Sequence, residues 1–351
     1  MGGESEMTES EFISPERLAR AEALLAGGIE EGLFTHAVFA LARQGKWVGP
    51  RALGQASVET VFDLASLTKP LATATCLLHL VERGRLHLRQ LVAQFFEDEF
   101  GPLPHLSGIE VRHLLTHTSG LPPMPRWPEV NSQTTRREML QAVLTTPTLR
   151  PAGTGYTYSD TGYILLGEIL ARVAEQTLDS LFLKSVAVPL GLATLGFGRE
   201  GDNNIAPTSP DSPGTVHDPR ARDFGGVAGH AGLFGTASDV LTFAEAIRTG
   251  GTPILSCASV ARMTVSQIPP QIGGQSYGWF CAGNDYLPSG DLFSDQSFGH
   301  SGFTGTAILI DPLYDVSVVL LTNRVINQSE DGSRFLRLRR QWLNAVAASI
   351  I

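Results

Sequence analysis

Apolar residues recur at helical spacing from Leu71 to Arg83, and this run predicts a helix that opens close to Ser66. Pro70 has no N–H and is tolerated only in a first turn, which pins the helix start there. Ser14-Pro15-Glu16-Arg17 reads as cap, first-turn proline and acidic first turn of a helix reaching about Ala26. Helical patterns also cover Ile109–Thr116, Thr135–Leu144, Thr161–Glu175, Ser238–Arg248 and Arg334–Ala348. Strand patterns cover Thr35–Arg43 with a hairpin partner near Trp47-Val48, then Tyr277–Ala282, Thr304–Ile310 and Val316–Thr322. Residues 198–226, rich in Gly, Pro, Asp and Asn, form a long irregular connection. Strands at both ends and helices between them predict an α/β unit built from the two ends. That assigns 1–65 and 227–351 to the α/β part and 66–226 to an inserted, mainly helical part.

Composition narrows the function classes. The chain has 351 residues, 42% hydrophobic and 17% charged, which is enough for a large buried core. Its net charge of −9 argues against nucleic acid or an anionic membrane as a partner. No apolar run is long enough for a membrane span, and the acidic segment Met1–Ser10 lacks the apolar core of a signal peptide. A cytoplasmic location is expected for the chain as it stands, and a periplasmic or extracellular one if a leader has been removed. Cys76, Cys257 and Cys281 have no C-x-x-C spacing and read as plain buried thiols. No cofactor or metal is called for: His113 and His117 have no Glu placed as a base, and Gly226, Gly229 and Gly232 do not match a dinucleotide fingerprint.

The chemistry begins with a scarce residue. Of 26 basic residues only Lys46, Lys69 and Lys184 are lysine, so Ser66-Leu67-Thr68-Lys69 is the one S-x-x-K in the chain. Residues three apart share a helix face, so Lys69 Nζ can return over the Ser66 hydroxyl. A serine at a helix start also sits among free N–H groups and the positive dipole end, where an oxyanion is stabilised. Lysine, unlike arginine, can be tuned to act as a base. Tyr158-Ser159-Asp160 enters the next helix and would place a phenol beside Ser66, with Lys69 near enough to depress its pKa. Gly299-His300-Ser301-Gly302-Phe303 leads into an apolar strand whose small residues allow close approach to the backbone.

Taken in this order, Ser66-x-x-Lys69, Tyr158-Ser159-Asp160 and His300-Ser301-Gly302, with Leu114-Leu115-Thr116-His117-Thr118-Ser119-Gly120-Leu121, resemble the serine β-lactamase and DD-peptidase superfamily on its class C-like side. The resemblance covers roughly residues 14–345. It implies an antiparallel sheet flanked by helices with an inserted helical domain, and an active site at their junction. It also implies acyl-enzyme catalysis: Ser66 as nucleophile, Lys69 and Tyr158 moving the proton, and the N–H groups of Ser66 and Phe303 as oxyanion hole.

Two departures bear on substrate choice. Asp160 replaces the family's usual Asn, an acceptor in place of an amide donor. A carboxylate about 4 Å from an ammonium is worth roughly 4 kcal/mol at an effective dielectric near 20, which favours protonated Lys69. His300 replaces Lys, so a substrate carboxylate loses a permanent charge partner. Asp160, His300, Ser301, Gly302, Arg324, His217 and His230 are the expected substrate-binding residues, with Asp218 beside the two histidines. The segment Val216–Phe234 is similar to family members that act on cell-wall muropeptides. The expected function is amide or peptide hydrolysis on peptidoglycan-type substrates with weak or no β-lactamase activity. A promiscuous carboxylesterase and a penicillin-recognising sensor without turnover are the competing readings. The expected partner is a small-molecule or peptide substrate, and the sequence leaves the oligomeric state open.

Overall fold

The computed structural model describes residues 12–351 apart from 132, 200–203, 210–213 and 328–331. Met1–Ser10, and the parts of the 198–226 connection at 200–203 and 210–213, lie outside the described residues. Among the described residues the main sheet has six strands: β1 (His36–Arg43), β2 (Lys46–Gly54), β6 (Phe280–Cys281), β7 (Phe298–Ser301), β8 (Ala307–Asp311) and β9 (Val316–Thr322). Their order is β2-β1-β9-β8-β7-β6, and every pair is antiparallel. The β1–β2 hairpin turns at Gln44-Gly45, both at positive φ (51° and 73°), a combination that matches the twist of the two strands. A small second sheet, β3 (Phe62–Asp63), β5 (Leu233–Gly235) and β4 (Gly196–Phe197), joins three distant segments in the order β3-β5-β4.

Strand alternation divides the core. Ala37, Phe39 and Leu41 of β1 face outwards, onto helices Pro15–Glu30 and Gly332–Ser349. Val38, Ala40 and Ala42 face inwards, into one continuous core shared with the helices of residues 66–190. We propose the division expected from the sequence as the partition of the chain, with this shared core at its seam. The inner helix Asp160–Ala174 is buried continuously from Asp160 to Leu170, so what it carries at its N-terminus is rigidly placed.

Four local features depart from the sequence expectation. Ser66 does not open an α-helix. Ala65–Leu67 is a 3-10 turn, Lys69–Ala74 is π-helical, and α-geometry begins only at Thr75. Pro70 has no N–H to give, and its carbonyl is taken by the Thr75 hydroxyl at 2.8 Å, which accommodates the wider turn. Residues 304–306 form a tight turn, closed by Gly302 N–H on Thr306 O (2.8 Å) and Gly305 N–H on Gly302 O (3.0 Å), so β8 starts at Ala307. Of Tyr277–Ala282 only Phe280 and Cys281 pair as a strand, and a helix at Cys257–Thr264 lies where none was expected. Cys257 on that helix is exposed, whereas Cys76 and Cys281 are buried.

One close approach positions the site. Gly167, mid-helix, meets Gly229 backbone to backbone: a Cβ on Gly167 would fall 2.7 Å from Gly229 N, and one on Gly229 would overlap Tyr163 O. The absence of side chains lets the 229–232 segment lie flat against the helix Asp160–Ala174, and Thr73 Oγ1 donates to Gly229 O at 2.6 Å. Gly229→Ala is expected to lower unfolding free energy by about 1–3 kcal/mol through overpacking, measured by urea denaturation.

Candidate active site

Ser66 sits in a turn held from two directions. The turn after β7 packs on it because Gly302 has no side chain; a Cβ there would collide with Thr306 Oγ1 and the Leu64 carbonyl. Thr304 Oγ1 donates to Asp63 O at 2.7 Å and Thr306 Oγ1 to Leu64 O at 3.1 Å. Ala65, next to the serine, has φ +47°, a left-handed conformation uncommon for a residue with a Cβ. The serine itself is only partly buried, so its hydroxyl is open to a ligand.

Lys69 is fully buried, and its ammonium is met by three chain segments. Nζ lies 2.9 Å from Ser66 Oγ, 3.1 Å from His230 O and 2.7 Å from Asp160 Oδ1. Burial alone would lower its pKa, but the neighbouring Asp160 and then Tyr158 outweigh burial, and the pKa stands above its ordinary value. Lys69 is therefore held as an ammonium that donates to the Ser66 hydroxyl, as Asp160 in place of Asn led us to expect.

Lys69 Nζ lies 5.0 Å from the centre of the Tyr158 ring. The Tyr158 pKa is raised, because burial outweighs the attraction of Lys69. The expected depression by Lys69 is thus overcome, and the phenol is neutral at rest. The Tyr158 turn is fixed mainly by His117, which the sequence analysis placed in the Leu114–Leu121 segment, without a role, and set aside as a metal ligand. His117 Nδ1 accepts from Ser159 N–H at 3.0 Å, and its carbonyl accepts from Thr157 N–H at 2.9 Å. Burial, then Lys69 and His300, hold the His117 ring well below its ordinary pKa, so it remains the neutral acceptor this bond needs. Ser159 Oγ caps the helix by accepting Gly162 N–H at 3.1 Å. His113 is likewise occupied, accepting Glu110 N–H at 3.1 Å.

The other expected contact residues separate into two groups. His300 is completely buried, stacked on Phe280 at 4.1 Å with Nδ1 toward Ser301 O at 3.0 Å. Burial and then Lys69 hold it well below its usual pKa, so it presents neither a cation nor an open face to a ligand. His230 is also buried; its Nε2–H donates to Asp218 Oδ1 at 2.9 Å, and its carbonyl is the Lys69 acceptor. Both histidines, expected to touch substrate, lie behind the site instead. His217, Phe303 and Arg324 are more open: Phe303 is 63% exposed, His217 stacks on it at 5.7 Å, and the Arg324 guanidinium lies 4.6 Å from its ring centre. Ser301 is the last residue of β7, and Gly302 links it to Phe303. Beside Tyr158 opens a cleft of about 440 Å³ lined by Tyr156, Tyr158, Ile272, Asn284, Asp285 and Tyr286. The sequence analysis named none of its far wall, because residues 270–286 carry no recognisable motif.

Comparison with known proteins places this geometry. Residues 21–341 match the family model described as Beta-lactamase. A protein of Escherichia coli O157:H7, provisionally named D-alanyl-D-alanine carboxypeptidase, is 32% identical over 309 residues, covering 77% of this chain and 70% of that one. Among solved structures, EstCE1, described as a hydrolase with promiscuous acyltransferase activity, superposes with a TM-score of 0.77 at 24% identity, covering 93% of this chain and 98% of that one. A beta-lactamase from Mycobacterium bovis gives 0.65 at 25% identity, covering 93% and 98%.

With Lys69 and Tyr158 both protonated at rest, acceptance of the Ser66 proton requires prior loss of a proton from the pair. Acylation is therefore expected to accelerate with rising pH into the alkaline range. Asp160→Asn removes the charge that raises Lys69, and should move the rising limb of kcat/KM about 1–3 pH units lower. A pH–rate profile of both proteins checks this.

Proposed function

The chain belongs to the beta-lactamase family and is a hydrolase of that family; on this premise we propose that it works through an acyl-enzyme on Ser66 and cleaves an amide bond in peptidoglycan-type peptides. The observation that carries the reading is the Ser66 hydroxyl 2.9 Å from a buried Lys69 that is paired with Asp160 at 2.7 Å. Ser66 Oγ attacks the acyl carbon, and its proton passes into the Lys69–Tyr158 pair. The backbone N–H groups of Ser66 and Phe303 hold the oxyanion. Tyr158 returns the proton to the departing amine, and water then releases the acyl group by the reverse relay.

Asp160 supports the choice of an amide. Its carboxylate, at the head of the helix Asp160–Ala174, favours substrates that present N–H or ammonium groups. The carboxypeptidase name of the E. coli relative points to the same substrate class. The neutral, buried His300 argues against efficient β-lactam hydrolysis, since it supplies no charge for a substrate carboxylate; Arg324, on the face of Phe303, is the cation available for that role. The same observation favours a second reading, a carboxylesterase whose substrates need no anion clamp.

Purified protein should release D-alanine from peptides ending in D-Ala-D-Ala, or cleave muropeptide amides, faster than it hydrolyses penicillins. Ser66→Ala should abolish the activity, a loss of at least about 10³-fold. Turnover of short p-nitrophenyl esters with none of muropeptides would establish the esterase reading. Stable labelling by a fluorescent penicillin without turnover would mark a sensor. Full activity of Ser66→Ala would refute the nucleophile.

A further inference from the structure

Asp63 lies three residues before the nucleophile and is 2% exposed. Its two carboxylate oxygens take backbone donors from two segments far apart in the chain. Oδ1 accepts Ala65 N–H at 2.8 Å, and Oδ2 accepts His217 N–H at 2.7 Å. Its own carbonyl takes the Thr304 hydroxyl at 2.7 Å, from the turn that carries Phe303. The ring of His217 in turn stacks on Phe303. One residue thus ties together the Ser66 turn, the Phe303 turn and the His217 wall.

We propose that Asp63 is a positioning residue of the acylation step: its ionised carboxylate holds Ala65 in the left-handed conformation that aims Ser66 and fixes the two amides of the oxyanion hole relative to each other. The proposal rests on Ser66 being the nucleophile. The chemistry of the two bonds explains why a carboxylate stands here. Only an ionised carboxyl is acceptor-only at both oxygens; an asparagine, or a protonated aspartic acid, would turn a donor toward one of the two N–H groups. A buried N–H left facing a donor loses its bond and relaxes the turn that it held.

The arrangement has a cost that shows in pH dependence. Burial pushes the Asp63 carboxyl up to about 6, against the His217 and Ala65 N–H bonds that lower it. The charged groups acting on it are Asp218, which raises it, and Arg222, which lowers it; His217 contributes its backbone N–H. Because the folded value lies above the ordinary carboxyl value of 3.8, folding favours the protonated form. The corresponding stability is present below about pH 4 and is lost as pH rises through about 6. Stability and acylation therefore pull Asp63 in opposite directions, and the site works on the ionised side.

The test is the acylation rate with a short p-nitrophenyl ester, together with melting temperature, both followed from pH 4 to 9. In the wild-type protein the fall in log kcat/KM should steepen below about pH 6, from one proton to two, as Asp63 protonates. Asp63→Asn should remain folded by circular dichroism, lose roughly 10–100-fold in kcat/KM at pH 8, and show no steepening. It should also lack the stability lost by the wild type between pH 4 and 7. If Asp63→Asn does not fold, Arg222→Gln at the exposed end of the interaction should move the wild-type break upward. A steepening kept in Asp63→Asn, full activity of that variant at pH 8, or a break unmoved by Arg222→Gln would overturn the proposal. Activity surviving in Ser66→Ala would instead overturn the nucleophile on which it rests.

Discussion

A fully buried ammonium must be given acceptors, and the structure around the site is arranged to supply them to Lys69. Three N–H donors meet Ser66 Oγ, Asp160 Oδ1 and His230 O, one from each of three separate segments. Each acceptor depends on its own piece of fold. Ser66 depends on the strained Ala65 turn, Asp160 on the capped and buried helix behind it, and His230 on the Gly167–Gly229 approach. The seam between the sheet and the helices is therefore joined through one charge as well as through apolar packing.

The same charge determines what the site is ready to do. A lysine held as an ammonium cannot accept a proton, and a tyrosine made more basic by burial does not give one up at rest. On the proposed mechanism the pair has to lose one proton before Ser66 can be activated, so the Asp in place of the family's Asn would set the working pH. His300 compounds the difference by withdrawing the charge that would otherwise face a substrate carboxylate. In the function proposed above, these two positions favour substrates that offer N–H groups over anionic, strained lactams.

Much of this was legible in the sequence where a residue acts through its neighbours in the chain. The helix expected at Thr135–Leu144 forms as Arg136–Leu144 with Thr135 as its cap, and the strand expected at Val316–Thr322 is β9. Ser66, Lys69, Tyr158 and Asp160 came from short motifs whose spacing has a direct mechanical meaning. What stayed hidden acts across long separations. His117 bonds a backbone amide 42 residues away and Asp63 one 154 residues away, and no local pattern marks either partner. The burial of His300 and His230 was equally invisible, since a histidine next to glycines reads as a cleft residue until something covers it. The π-helical stretch after Lys69 was missed because Pro70 is compatible with either helix type at that point.

The resting charge of Lys69 can be measured directly, since the chain contains only Lys46, Lys69 and Lys184. Lysine labelled with carbon-13 at the ε position gives three signals to follow by NMR through a pH titration. The buried Lys69 signal should show no deprotonation up to pH 10 in the wild-type protein, and should titrate at lower pH in Asp160→Asn. A wild-type Lys69 that loses its proton near or below neutral pH would contradict the account.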